Sequence, residues 1–155
     1  MINIFIYGLD QFVVGDLSER MTEVLSKVYE VKEDKINFVA PNDMIFHNGV
    51  EQTSWRVLVE VKLPTEFEYL ELQAKEIILH YISEVAVHVE VVFFYYENKH
   101  HHASINKDYP LYLTEEQGQS HLVTESYDED SELVEGEGDD EIYTEDIFAG
   151  IVGNH

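Results

Sequence analysis

A strand–helix–strand hydrophobic pattern occurs twice in this 155-residue chain, and the second copy begins 53 residues after the first. In each copy, apolar residues alternate with other residues, as in a β-strand, and then recur every three or four residues, as in an amphipathic helix. A second alternating segment follows each helix. The related apolar positions are Ile4, Ile6, Leu17, Met21, Val24, Leu25, Val28 and Ile36 in the first copy and Val57, Val59, Leu70, Ala74, Ile77, Ile78, Tyr81 and Val89 in the second. The repetition predicts a duplicated β-α-β unit, although any two β-α-β units share some periodicity.

Local signals place the ends of these elements. The first helix is predicted to begin at a capping box formed by Asp16 and Glu19, and the second at one formed by Thr65 and Glu68. A turn is predicted at His47-Asn48-Gly49. The predicted strands are residues 2–7, 36–40, 56–62 and 87–96.

The order of the elements predicts their arrangement. A single helical crossover makes the two strands of each unit parallel, with a right-handed connection. Two such units side by side predict an α/β (α+β) fold, in which a four-stranded sheet carries both helices on one face. The other face would present an apolar set: Phe5, Tyr7, Leu58, Val92, Phe94 and Tyr96. We expect this face to be covered, either by other copies of the chain or by its own C-terminal segment.

The charge of the chain predicts two parts. The formal net charge is −23, and the last 42 residues carry −14 of it without a single Lys or Arg. Residues 1–113 carry the remaining −9. We therefore predict a folded domain at residues 1–113 and an acidic, largely disordered tail at residues 114–155. Apolar pairs in the tail, such as Leu122-Val123 and Ile147-Phe148, make docking on a partner the alternative.

The composition also argues against several classes of protein. A strongly negative chain repels the phosphates of nucleic acids and anionic membrane surfaces. No apolar run approaches the ~18 residues of a membrane-spanning helix, and residues 2–9 lack the basic flank of a secretory signal. The chain has no Cys, which removes disulfides and thiolate metal sites and favours a cytoplasmic protein. No cofactor is expected, because no phosphate-binding glycine loop is present.

Three strand segments carry a resemblance to a known family. They are residues 2–8, residues 57–61, and residues 89–98, which end in Tyr95-Tyr96-Glu97-Asn98 before a run of histidines. Together they resemble the tautomerase / macrophage migration inhibitory factor superfamily, and in particular a bacterial branch known only as a domain of unknown function. The resemblance covers residues 2–103. It implies a homotrimer whose sheets line a central barrel, with sites at the subunit boundaries.

The resemblance also implies a mechanism that this chain does not match. Active members use an amino-terminal proline, uncovered by removal of the initiator Met, to move a proton between the carbons of a keto–enol pair. The matching position here is Ile2, and a bulky residue after Met1 should keep Met1 in place. We therefore expect no proline-dependent tautomerase activity, but binding of a small ligand or another protein at subunit interfaces.

Two alternatives remain open. One is an enzyme of the same fold that acts on a small carbonyl acid with a different base, for which the Met1 amine, Tyr95 and a histidine are candidates. The other is an interaction module that acts through its acidic tail.

The candidate binding residues are Ile2, Arg56, Tyr95 and Tyr96. The guanidinium of Arg56 has the geometry to hold a carboxylate, and a surface ion pair is its simpler role. The two tyrosines offer hydroxyl donors, or they pack at an interface. His100 and His102 lie on one side of an extended chain and are the only metal-ligand candidates in the run; we favour a solvated loop and predict no metal site.

Overall fold

The computed structural model describes residues 1–114. Their strands and helices are β1 (Ile2–Tyr7), α1 (Gln11–Tyr29), β2 (Ile36–Val39), β3 (Phe46–His47), β4 (Val50–Glu51), β5 (Arg56–Pro64), α2 (Glu71–Ile82) and β6 (His88–Tyr96). Short 3₁₀ turns lie at Glu33–Lys35, Thr65–Leu70 and Asn98–His100. The predicted acidic tail, apart from Thr114, lies outside the described residues, and the predicted division of the chain at residue 113 stays a prediction.

The main sheet has four strands in the order β2-β1-β5-β6. β1 is parallel to β2 and β5 is parallel to β6, while the central pair, β1 and β5, is antiparallel. Alternate residues of both central strands are buried in one core that also contains residues of α1 and α2. Both helices therefore cover the same face, as the order of the elements predicted. The turn predicted at residues 47–49 joins β3 and β4, which form a small separate hairpin.

The buried positions of the two helices follow the 53-residue offset. Leu17, Met21, Leu25 and Tyr29 lie on the core face of α1. Their counterparts are also buried: Leu70 at the end of the preceding 3₁₀ turn, and Ala74, Ile78 and Ile82 in α2. The last strand of each unit departs from the offset by two residues. Ile36 pairs with Ile2, whereas Val89 pairs with Val57, the counterpart of Ile4. Because the difference is an even number, the side chains still point to the same face.

The predicted capping box of the first helix is wrong. α1 begins at Gln11, and the side chain of Asp10 caps it by accepting a hydrogen bond of 2.8 Å from the Phe12 amide. Asp16 lies inside the helix and faces Arg20 at 3.5 Å. The helix starts earlier because Val14 is buried in the core, and this packing stabilises an additional helical turn.

The second predicted capping box is also wrong. Thr65 and Glu68 lie in a 3₁₀ turn, and no side chain caps the amide groups at its start. The hydroxyl of Thr65 instead donates to the carbonyl of Tyr96 at 3.2 Å, which ties the turn to the end of β6. None of the helices in residues 1–114 is long and apolar enough to cross a membrane.

The symmetric core leads to a stability prediction. Leu25 in α1 and Ile78 in α2 occupy related positions and are both 0% exposed. Replacing either with Ala should lower the free energy of unfolding by about 2–5 kcal/mol, because each change leaves a cavity in a packed core. Denaturant unfolding of Leu25→Ala and Ile78→Ala would measure this.

Phe12→Ala is the control, because that side chain is 79% exposed and its loss should change the free energy of unfolding by less than about 0.5 kcal/mol. Equal unfolding midpoints for all three variants and the wild type would contradict this description of the core.

Candidate functional site

The position that matches the terminal proline of the resembled family is a core residue here. The side chain of Ile2 is 0% exposed and belongs to the hydrophobic core. Its backbone pairs with Ile36 of β2, which holds the start of β1 in the sheet. Ile2 is thus positioned by strand pairing and packing, and its side chain is not open to a ligand.

The amino group of Met1 lies in a partly buried, charged environment. Its pKa is lowered mainly because burial disfavours the charged ammonium form, and the positive charge of Lys35 lowers it further. The carboxylate of Glu66 acts in the opposite direction and raises it. A lowered pKa increases the fraction of neutral amine, which is the form that accepts a proton or attacks a carbonyl carbon.

Residues at and after the end of β6 contact the amino terminus and its surroundings. The Tyr96 hydroxyl donates a hydrogen bond of 2.5 Å to the Met1 carbonyl, and its ring stacks on His101 with centroids 6.0 Å apart. Asn98 donates to Glu66 at 3.3 Å, which positions the carboxylate that acts on the amine. Burial raises the pKa of Tyr96, so its hydroxyl is protonated and able to donate at neutral pH. The structure therefore brings Met1, Ile2 and Tyr96 together.

Tyr95 is directed to the other face of the sheet. Neighbouring residues in a strand point to opposite faces, and the Tyr95 hydroxyl donates to Glu71 of α2 at 2.5 Å. Its ring stacks on Phe93 with centroids 6.4 Å apart. The pKa of Tyr95 is raised, first by burial and then by the hydrogen bond to the Glu71 carboxylate. Tyr95 thus contacts α2, whereas Tyr96 contacts the amino terminus.

Arg56 lies at the opposite end of the sheet from Met1. The antiparallel register places Asn3 beside Lys62 and Tyr7 beside Leu58, so Arg56 lies beyond the carboxyl end of β1. Its guanidinium pairs with Glu90 at 3.0 Å, and both side chains are more than half exposed. An exposed pair of this kind contributes little to stability. Within one chain, Arg56 and the amino-terminal residues do not form a common site.

Arg56 lines a cleft of about 440 Å³ that sequence reasoning did not identify. The side chains that matter for its chemistry are Phe46, His47, Trp55, Arg56, His88 and Glu90. A signal for it was present, because Arg56 begins one strand, with Trp55 just before it, and His88 begins the parallel partner. Starts of parallel neighbours share one sheet edge, and Arg56 pairs in register with His88.

The histidine run is exposed. His100 and His102 follow β6 with little packing around them. Within residues 1–114, no group of three or more His, Cys, Asp or Glu side chains is arranged to hold a metal ion.

Comparisons with known proteins identify the fold. No family model matches the chain, and no curated protein does. Among solved structures, a domain of unknown function (DUF1904) from Sebaldella termitidis is 17% identical, with a TM-score of 0.61 over 66% of this chain and 95% of that one. A protein of unknown function from Vibrio cholerae is also 17% identical, with a TM-score of 0.57 over 66% of this chain and 83% of its own.

Macrophage migration inhibitory factor proteins share the fold too. The homologue from Prochlorococcus marinus is 14% identical, with a TM-score of 0.53 over 66% of this chain and 94% of its own. The structural neighbours are thus a DUF1904 domain and members of the tautomerase / macrophage migration inhibitory factor superfamily. The resemblance to this superfamily is confirmed at the level of the fold.

The charges around Met1 lead to a prediction for its pKa. Lys35→Gln should raise the pKa of the Met1 amine, because a nearby positive charge is removed, and Glu66→Gln should lower it further. Reductive methylation with labelled formaldehyde, followed by an NMR titration, reports the pKa of the dimethylated terminus in each variant, and this pKa responds to the same neighbouring charges. Lys32→Gln is a matched control on the same surface segment and should leave the pKa unchanged. Shifts of the same sign in the two test variants would contradict the assigned environment.

Proposed function

We propose that this chain is a tautomerase-fold protein that assembles with copies of itself and binds a small molecule or another protein at the boundaries between the copies. Proline-dependent tautomerase activity is not part of this function. The observation that carries the proposal is position 2, where Ile2 is fully buried and follows Met1 in the chain. The absence of Cys favours the cytoplasm as its location.

The chemistry of position 2 supports the absence of that reaction. A general base needs a basic lone pair that a substrate can reach. The nitrogen of Ile2 belongs to a peptide bond, whose resonance removes its basicity. The terminal amine of Met1 lies one residue earlier and is primary. A proline-type proton transfer therefore has no base at the matching place.

The sheet face opposite the helices supports self-association. Phe5, Leu58, Val92 and Phe94 lie on it, and Phe94 is 46% exposed. The ammonium group of Lys62 lies 4.4 Å from the centroid of the Phe5 ring and 5.8 Å from that of Phe94, so it contacts both rings. Exposed apolar surface of this kind is typical of an interface. The family resemblance makes a homotrimer the expected assembly.

Assembly is tested by placing a charge on this face. Phe94→Glu should shift the protein from an oligomer towards the 18.1 kDa monomer, because removing a carboxylate from water is costly even when a cation such as Lys62 lies beside it. Sedimentation equilibrium measures the mass without a calibration standard. Phe12→Glu adds the same charge at a 79% exposed position on α1 and should leave the mass unchanged. A monomeric wild-type chain would contradict self-association.

The proposed lack of proline-type chemistry is tested by an activity screen. Wild-type protein, with retention of Met1 checked by mass spectrometry, is incubated with keto–enol pairs and halo-acids at neutral pH. We expect no turnover above the buffer rate. Turnover that disappears when the terminal amine is blocked chemically would overturn the proposal and point to the second candidate function.

That second candidate is an enzyme of the same fold that uses the Met1 amine as its base on a small carbonyl acid. It is favoured by the lowered pKa of the amine and by the Tyr96 donor beside it. In that case Tyr96→Phe should reduce the rate, because a donor beside the reacting group is lost. Tyr69→Phe is the matched control, since Tyr69 is 76% exposed elsewhere.

A further inference from the structure

The cleft beside Arg56 has the features of a preformed small-molecule site. Its volume of about 440 Å³ lies within the range of about 300–1,000 Å³ that such sites occupy. It is built from residues of a single chain at the sheet end that lies away from Met1. One chain thus supplies the whole lining, although Arg56 and Glu90 lie on the same sheet face as Leu58 and Phe94.

The backbone around the cleft is held in place before any ligand binds. The backbone carbonyl of Gln52 accepts hydrogen bonds from the backbone N–H groups of Trp55 and Arg56, each at 3.0 Å. The backbone N–H of Gln52 donates to the carbonyl of Ile45 at 2.8 Å. The His88 amide donates to the Trp55 carbonyl at 2.9 Å, which joins the two strand starts. A fixed backbone lowers the entropic cost of binding.

Gly8 permits the close packing beneath these residues. Its φ of +83° is in the left-handed region, and a Cβ there would lie 2.7 Å from the carbonyl oxygen of Arg56 and 2.9 Å from the Ile45 side chain. Any larger residue would push the start of β5 away from the loop that carries Ile45. The end of β1 thus helps to set the shape of the cleft.

The walls of the cleft present exposed aromatic surface. Phe46 is 59% exposed and Trp55 is 56% exposed, although both are large apolar side chains. The Trp55 ring meets the His88 ring edge to face, with centroids 5.7 Å apart. Exposed aromatic rings at a cleft favour a flat apolar ligand, which gains by removing their faces from water.

The polar group that gives this cleft its selectivity is Arg56. A guanidinium has five N–H donors, and here Nη2 contacts Glu90 at 3.0 Å. The remaining donors have the fork geometry that carboxylates match. Because Glu90 lines the same cleft, its carboxylate competes with an incoming anion for the guanidinium.

We propose that this cleft binds a small, flat aromatic monocarboxylate, with its ring against Trp55 and Phe46 and its carboxylate on Arg56. Neither the ring nor the carboxylate alone should bind as tightly as the two together. A neutral aromatic molecule leaves the guanidinium without a second partner, and an aliphatic acid leaves the aromatic walls in water.

The chain offers a site-specific reporter, because Trp55 is its one tryptophan. The full chain is titrated with benzoate, benzamide and cyclohexanecarboxylate, and tryptophan fluorescence is recorded with calorimetry as a second readout. Benzoate should bind saturably and more tightly than the other two probes. No saturable change with benzoate, or equal affinities for the three probes, would overturn the proposal.

Variants separate the contributions of the side chains. Arg56→Gln should raise the Kd for benzoate about tenfold or more, because a charged hydrogen-bond donor is lost. Glu90→Gln should lower that Kd, because the competing carboxylate is removed. Phe46→Ala should weaken benzoate binding several-fold while leaving the Trp55 reporter in place.

Arg20→Gln is the matched control, since Arg20 is the other arginine and pairs with Asp16 and Glu84 outside the cleft. Circular dichroism of each variant checks that it is folded. A Kd that is the same in Arg56→Gln and Arg20→Gln, or that rises in Glu90→Gln, would refute the assigned role of Arg56.

Discussion

The antiparallel pairing of β1 with β5 is the contact on which the rest of the described structure depends. Each half of the chain is parallel within itself, so this one pairing joins the halves into a single sheet. It aligns the buried alternate residues of the two strands, from Ile2 to Ile6 and from Val57 to Leu63, on one face. Both helices must then pack on that face, because that is where the apolar side chains are.

The same pairing determines which candidate residues can act together. It puts Met1 and Arg56 at opposite ends of the sheet, so one chain has an amino-terminal cluster and a separate cleft. The two-residue repeat of β6 then sends Tyr96 to Met1 and Tyr95 to α2. The four candidate binding residues therefore lie in three separate places: Ile2 and Tyr96 at the amino terminus, Tyr95 against α2, and Arg56 in the cleft.

Much of the fold was predictable, because burial follows hydrophobic periodicity. The alternation in β1 and β5 and the four-residue spacing of Leu17, Met21 and Leu25 predicted elements that the structure contains. The helix starts were not predictable in the same way. Asp16 has the right neighbours for a cap, but the packing of Val14 extends α1 back to Asp10. A local motif is overridden when burial of an earlier residue stabilises more than the cap does.

The sequence by itself determined the two repeated units, the face on which each buries its side chains, and the presence of Ile rather than Pro at position 2. These are local properties, since side-chain period and residue identity do not depend on distant contacts. The tertiary structure alone decided that Phe46 and His47 join Arg56 and His88 in one cleft and that Tyr96 reaches Met1. Strand register and sheet order bring together residues from distant parts of the chain. The spacing of residues within one segment does not predict these contacts.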